Sequence, residues 1–380
     1  MNAMKKCIVI SDSFKGTLSS RDICQIAREA ISSVFPACEA DCIPVADGGE
    51  GTVACFEEAI GAVPISVSVR GPYGEPVQAI YGRRDDRAIV EMAAAAGLPM
   101  VGERKNPGQT TTYGVGQLIR HAVEHGCRSV LLGLGGSATI DGGCGAAAAL
   151  GTRFYRQDGS QFIPLGDTLD QIARIDVSET RRLLEAVTIT AMCDVENPLC
   201  GPQGAAFIFG PQKGADEAMV RRLDRQLRAF GAVLARQLGF DPAHMAGAGA
   251  AGGMGAGCAA FFGAELCSGI EAVLDMVEFD RRLEGAGLVI TGEGRMDSQS
   301  LHGKVISGVA GRTRPRGIPL VAIVGCIGEN AAAAYELGVT AMFSINREAE
   351  SLAQSGPKSA LHYRETLEDV LRLIRGIAPL

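Results

Sequence analysis

Apolar residues along this chain fall into short runs that alternate with longer, amphipathic stretches. Nearly continuous runs such as CIVIS, SVLL, LVIT and LVAIV have the pattern of strands buried on both faces. Strands are predicted at 7–11, 41–45, 65–69, 77–81, 88–91, 129–132, 187–193, 288–291, 320–324 and 342–345. Helical periodicity covers 19–34, 51–60, 112–125, 216–238, 300–313 and 359–375. Strands alternating with helices predict parallel sheets, and hence an α/β class. The first three strands alternate with helices, and so do the last three. The middle differs, with a polar strand pair, VQAIYGRRDDRAIVEMA, followed by glycine-rich features. The expected architecture has two α/β domains. Residues 1–73 plus 271–380 would form a doubly wound, Rossmann-like parallel-sheet domain built from both chain ends, and 74–270 an inserted second α/β domain. Ligands would then lie in the cleft between them, near carboxyl ends of strands.

Composition narrows the function. The chain has 380 residues, is 47% hydrophobic and has a formal net charge of −7. With no tryptophan and no Lys/Arg block, nucleic-acid binding is not expected. No apolar run approaches the roughly 20 residues of a membrane span. MNAMKKCIVISD lacks a signal peptide's long apolar segment, and Met4 is as plausible a start as Met1. The 12 cysteines include no C-x-x-C and sit mostly in apolar runs, which predicts buried free thiols in a reducing cytoplasm. His121 and His125 share a helical face without an H-E-x-x-H arrangement.

Chemistry-bearing residues collect just after predicted strands. SDSFKGT carries Asp12, Ser13 and Lys15. PVADGGEGT carries Asp47, Gly48, Gly49 and Glu50. LGLGGSATIDGG carries Gly135, Gly136, Ser137 and Asp141. MCDVENPL carries Asp194, FGPQKGA carries Lys213, and VITGEGRMDSQSLHGK carries Glu293, Arg295, Asp297 and Lys304. Each could be a plain strand-to-helix turn with the acid as N-cap, but the repeated glycine-plus-charge grammar points to function. Gly133, Gly135 and Ala138 form G-x-G-x-x-A, without the acid some 20 residues on that a dinucleotide site uses. Gly247, Gly249 and Gly252 form G-x-G-x-x-G without a preceding strand. No G-x-x-x-x-G-K-[ST] loop is present. Phosphoryl transfer needs phosphate-cradling amides or lysines, carboxylates for a metal, a carboxylate base and substrate-fixing cations. The chain offers all four types, so the residues lead to a small-molecule kinase or another anion-handling transferase.

SDSFKGTLS, ADGGEGT, NPGQTTTYGVGQLI, LGLGGSATIDGGCGAAAALG, CDVENPLCGPQGAAFIFGPQKGA, GAGAAGGMGAG and VITGEGRMDSQSLHGK, in that order, resemble the glycerate kinase family. The resemblance covers nearly the whole chain. Ile140 stands where many members have Asn. The resemblance implies a two-domain α/β fold and γ-phosphoryl transfer from MgATP to a hydroxyl of D-glycerate, with 2-phosphoglycerate the usual product of bacterial members and 3-phosphoglycerate the alternative, and with ATP and Mg²⁺ as the implied cofactors.

Roles within that reaction follow from chemistry. Asp47 leads as general base, with Asp194 as runner-up. Glu293 and Asp297 are candidates for Mg²⁺, which commonly takes one or two carboxylates. Lys15 and Lys213 suit the phosphates, and Arg295 the glycerate carboxylate. Ser13, Gly48, Gly49, Gly135, Gly136 and Ser137 offer amides and hydroxyls to anionic oxygens, while Asp141 would cap a helix or face the metal. A kinase for a related hydroxy acid, a non-catalytic sugar-acid binding module and a nicotinamide-dependent oxidoreductase are the alternatives, and a homo-oligomer is left open.

Overall fold

The computed structural model describes residues 4–14, 16–46, 48–49, 51–297, 304–348 and 350–377, apart from the side chain at 352. The principal strands are β1 (Lys6–Ser11), β2 (Glu39–Pro44), β3 (Val63–Arg70), β4 (Pro76–Arg84), β5 (Arg87–Glu91), β6 (Ser129–Gly133), β7 (Thr188–Met192), β8 (Glu265–Cys267), β9 (Leu288–Gly292), β10 (Leu320–Val324) and β11 (Ala341–Ser344). The helices used below are α1 (Ser20–Val34), α2 (Thr52–Ile60), α3 (Tyr113–Glu124), α4 (Cys144–Ala149), α5 (Glu217–Leu238), α6 (Ala250–Phe262), α7 (Val305–Thr313) and α8 (Ser359–Ile377). The chain divides into two compact units. One comprises Met1–Ala46, Glu58–Ile60 and Ser268–Leu380, the other Asp47–Glu57 and Gly61–Cys267.

The first unit is built on a five-stranded parallel sheet in the order β11-β10-β9-β1-β2. Ile8 and Val9, on opposite faces of β1, are both fully buried, which is why KCIVIS is continuously apolar rather than alternating. One face packs Val9, Ile290 and Ile323 against Ile23 and Ile31 of α1 and Tyr363 and Leu367 of α8. A capping box starts α1: Ser19 Oγ accepts from Asp22 N at 3.1 Å, and Ser19 N donates to Asp22 Oδ2 at 3.0 Å. The chain runs from β1 to β2 on one side and resumes with β9 on the other. The order reverses between β1 and β9, the arrangement of flavodoxin-like doubly wound sheets rather than the six-stranded dinucleotide-binding order.

The second unit carries a mixed six-stranded sheet in the order β8-β7-β6-β5-β4-β3. Strands β5 to β8 are parallel, while β3–β4 and β4–β5 are antiparallel. Tyr81, Val90, Val115, Leu132, Phe154, Phe230 and Phe261 lie in its core. β3 was expected to continue the N-terminal strand–helix alternation. It pairs with β4 instead, because the connection is a tight turn: Gly71 N donates to Glu75 O at 2.6 Å and Gly74 sits at φ +86°. So short a link permits only an antiparallel hairpin. A small three-stranded sheet (153–155, 161–162 and 174–176) lies in the same unit. No described helix is long and apolar enough to cross a membrane.

Candidate active site

In the second unit, β6 delivers the chain into the glycine loop at 133–136, which packs backbone to backbone on Gly48 and Gly49. A Cβ on Gly133 would stand 2.2 Å from Gly48 O, and one on Gly135 would stand 2.7 Å from Gly49 Cα. Gly135 N donates to Gly48 O at 3.2 Å. Only glycines allow this approach. The loop is pinned on its other side, with Leu98 N donating to Gly136 O and Ala138 N to Ala96 O, both at 2.8 Å.

Two buried charges lie beyond the end of that loop, Asp141 in the segment that follows it and Lys213 reaching it from far along the chain. Asp141 is fully buried. Its Oδ2 accepts from Thr112 N at 2.7 Å, Thr112 Oγ1 at 2.8 Å and Gly145 N at 3.3 Å, and its Oδ1 accepts from Gly143 N at 3.1 Å. One carboxylate thus accepts from amides at the starts of both α3 and α4. Burial pushes its carboxyl up from the ordinary value, and the four donated bonds pull the other way. Lys213 is 2% exposed, so it is not a solvated loop cation. Its Nζ donates to Ser137 Oγ and to Thr139 O, each at 2.8 Å. Burial pulls its ammonium down to about 7 against the opposing charge of Asp141. Thr139 Oγ1 is buried with no hydrogen-bond partner among the described residues. Asp194 follows β7 and is exposed.

Two polar residues in this unit were not singled out from the sequence. Glu91, 8% exposed at the carboxyl end of β5, accepts from Val53 N at 2.6 Å and Gly51 N at 3.3 Å, so it caps α2 from a distance. Thr112 Oγ1 also accepts from Ala146 N at 2.9 Å. A charge ending a buried strand, and the TTT run before a helix, were the available signals.

In the first unit the switch point between β1 and β9 gathers Asp12, Ser13, Glu293 and Lys304. Asp12 N donates to Gly292 O at 2.9 Å, and Ser13 N donates to Asp12 Oδ1 at 2.6 Å. Glu293 is 5% exposed, with Lys304 Nζ 3.6 Å from its Oε2. Arg295 pairs with Asp297 (Nε to Oδ2, 3.2 Å). Glycine again brings loops together: a Cβ on Gly325 would stand 2.3 Å from Gly294 O. Lys15, Asp47 and Glu50 lie outside the described residues.

Glu293 and Asp297 are hard oxygen donors suited to Mg²⁺. Among the described residues no three His, Cys, Asp or Glu side chains gather into a metal cage. Each unit therefore carries glycine-lined loops with buried charge at the carboxyl ends of parallel strands, where doubly wound proteins bind anionic ligands.

Known proteins are similar to this chain over nearly all of its length. The profile of the "Glycerate kinase family" matches residues 7–375. The chain is 45% identical to the glycerate kinase of Bacillus cereus over 353 residues, which is 92% of this chain and 93% of that protein. It is 40% identical to the glycerate 2-kinase of Escherichia coli over 376 residues, 98% and 97% of the two chains. A crystal structure of a candidate glycerate kinase 2 from Salmonella typhimurium LT2 superposes with a TM-score of 0.86 at 39% identity, covering 98% of this chain and 99% of that one. Matching loops, matching fold and near-complete coverage lead to one assignment: the chain belongs to the glycerate kinase family.

Proposed function

We propose that this protein transfers the γ-phosphoryl group of MgATP to D-glycerate, at the 2-hydroxyl, giving 2-phosphoglycerate. The observation that carries the reading is the near-full-length relationship to a protein named glycerate 2-kinase. Glycine amides and buried charge at strand ends in each unit support it.

Roles are proposed residue by residue. Asp47 accepts the proton of the attacking hydroxyl, with Asp194 as the alternative base. Lys15 neutralises phosphate charge. Gly48, Gly49, Gly136 and Ser137 offer donors to anionic oxygens, as does Ser13 in the other unit, while Gly135, its amide bonded to Gly48 O, shapes the loop. Arg295 receives the glycerate carboxylate, for which its planar fork is suited. Glu293 and Asp297 would hold Mg²⁺, which when bound offsets negative charge on the transferring phosphoryl group. Asp141, its oxygens occupied by backbone and threonine donors, holds the loop in shape rather than touching substrate. We place the enzyme in the cytoplasm, a reading that its free cysteines support.

The deciding experiment incubates the purified protein with MgATP and D-glycerate and identifies the product by phosphorus NMR. 2-Phosphoglycerate with stoichiometric ADP is expected. 3-Phosphoglycerate would overturn the position, and absence of ADP the activity. Asp47→Asn is expected to lower turnover by several orders of magnitude with an unchanged melting temperature. Near-normal turnover would transfer the role to Asp194.

A further inference from the structure

Lys213 lies 76 positions from Ser137 in sequence, and its Nζ is 2.8 Å from the serine hydroxyl. An ammonium has three N–H donors and no acceptor, whereas a serine hydroxyl has one donor and two acceptor sites. For the ammonium form of Lys213 the direction of this bond is therefore settled: Lys213 donates and Ser137 Oγ accepts. The hydroxyl proton of Ser137 is left to donate elsewhere. The second Lys213 bond, to Thr139 O at 2.8 Å, ties the ammonium to the same loop two residues on. Ser137 is 7% exposed and its loop is held by the Gly136 and Ala138 backbone bonds, so the hydroxyl has little freedom to turn. Lys213 is nearly inaccessible and fits a direct ligand contact poorly.

We infer that Lys213 is a positioning residue: by donating to Ser137 Oγ it aims the Ser137 hydroxyl proton at an anionic oxygen of a substrate. This deepens the kinase reading above and rests on it. The donor is charge-assisted, because the oxygen that receives the Ser137 proton also faces a buried positive charge one hydroxyl away. The anionic oxygen belongs either to an ATP phosphate or to the glycerate carboxylate, and the chemistry of recognition is the same.

The test is a double-mutant cycle on the full chain, with KM for MgATP and for D-glycerate measured separately. Ser137→Ala is expected to raise one of the two KM values by about tenfold or more, the scale of one lost hydrogen bond to a charged group. The substrate whose KM rises supplies the oxygen. Ser137→Thr, which keeps the hydroxyl, should stay within about threefold of wild type. Lys213→Met should raise the same KM, and Lys213→Met/Ser137→Ala should be no worse than the more damaging single change. Unchanged KM values in Ser137→Ala, or single effects that multiply in the double variant, would overturn the inference. Should Lys213→Met fail to fold, lysine Nζ resonances of the ¹⁵N-labelled wild type decide. The slowly exchanging buried ammonium should shift when the affected substrate is added and stay still in Ser137→Ala, and an unmoved wild-type resonance overturns it. Should the wild type phosphorylate no D-glycerate, the kinase reading fails. Calorimetric Kd values of wild type and Ser137→Ala for MgADP and D-glycerate then test the Ser137 donor independently.

Discussion

At the scale of single residues, the fates of the charged side chains separate by burial and by what their protons or lone pairs meet. Asp141 is a carboxylate without solvent, kept by four donors from three residues. Asp141→Ala leaves the amides of Thr112, Gly143 and Gly145 without that acceptor. It should destabilise the protein by roughly 2–4 kcal/mol in urea unfolding, and wild-type stability would show that water replaces the carboxylate. Lys213 makes a pH-dependent contribution. Its pKa is about 7 in the folded protein and 10.5 for an ordinary lysine, so between these values the unfolded chain binds more protons. Stability associated with Lys213 therefore rises as pH increases from about 7 toward 10.5, and is lowest below that window. The unfolding free energy of wild type, measured against Lys213→Met, should increase across that range. A flat difference would contradict the burial argument.

At the scale of elements, helix starts are held by side chains far away in sequence. α2 begins at a glycine N-cap that supplies no side-chain acceptor, and Glu91, 40 positions from Gly51, accepts the amide instead. Glu91→Ala should cost about 1–2 kcal/mol, as for a lost N-cap. It should also lower kcat/KM by at least about tenfold, because Gly48 and Gly49 immediately precede that helix. Glu91→Gln, which retains one acceptor oxygen, should fall between. A Glu91→Ala enzyme with wild-type kinetics would remove Glu91 from this positioning role. The run GAGAAGGMGAG shows the opposite use of glycine. It forms α6, interrupted by left-handed Ala251, Gly252 and Gly253. A Cβ on Gly252 would stand 2.0 Å from Thr139 O, and one on Gly257 would stand 2.3 Å from Gly142 O. These glycines let a buried helix pack against the 139–143 loop, so the G-x-G-x-x-G match there is a packing motif rather than a dinucleotide fingerprint.

At the scale of the whole molecule, all 12 cysteines are free, and several are buried in the cores. Burial raises the thiols of Cys7, Cys144 and Cys258, which lowers their reactivity. Thiol titration of freshly denatured, unreduced protein should count 12, and a lower count would mean that disulfides form. The ten strands expected from apolar runs are all present, with ends shifted by three residues or fewer. Buried parallel strands leave that unbroken signature. Strand order does not, since it depends on which runs meet side by side. The 71–75 turn decided the sheet of β3, and α6 was hidden by a composition that favours loops. Of the candidate site, glycine-plus-charge loops at strand ends were visible in one dimension, whereas the division of labour among their charges was not. The sequence by itself determined the α/β class, the strand positions, the family and the set of loops, because periodicity, composition and motifs are local. Only the tertiary structure decided that Asp141 and Glu91 hold helix termini and that Lys213 reaches Ser137. Whether a buried polar group is satisfied depends on partners brought together across 29 to 76 positions of chain.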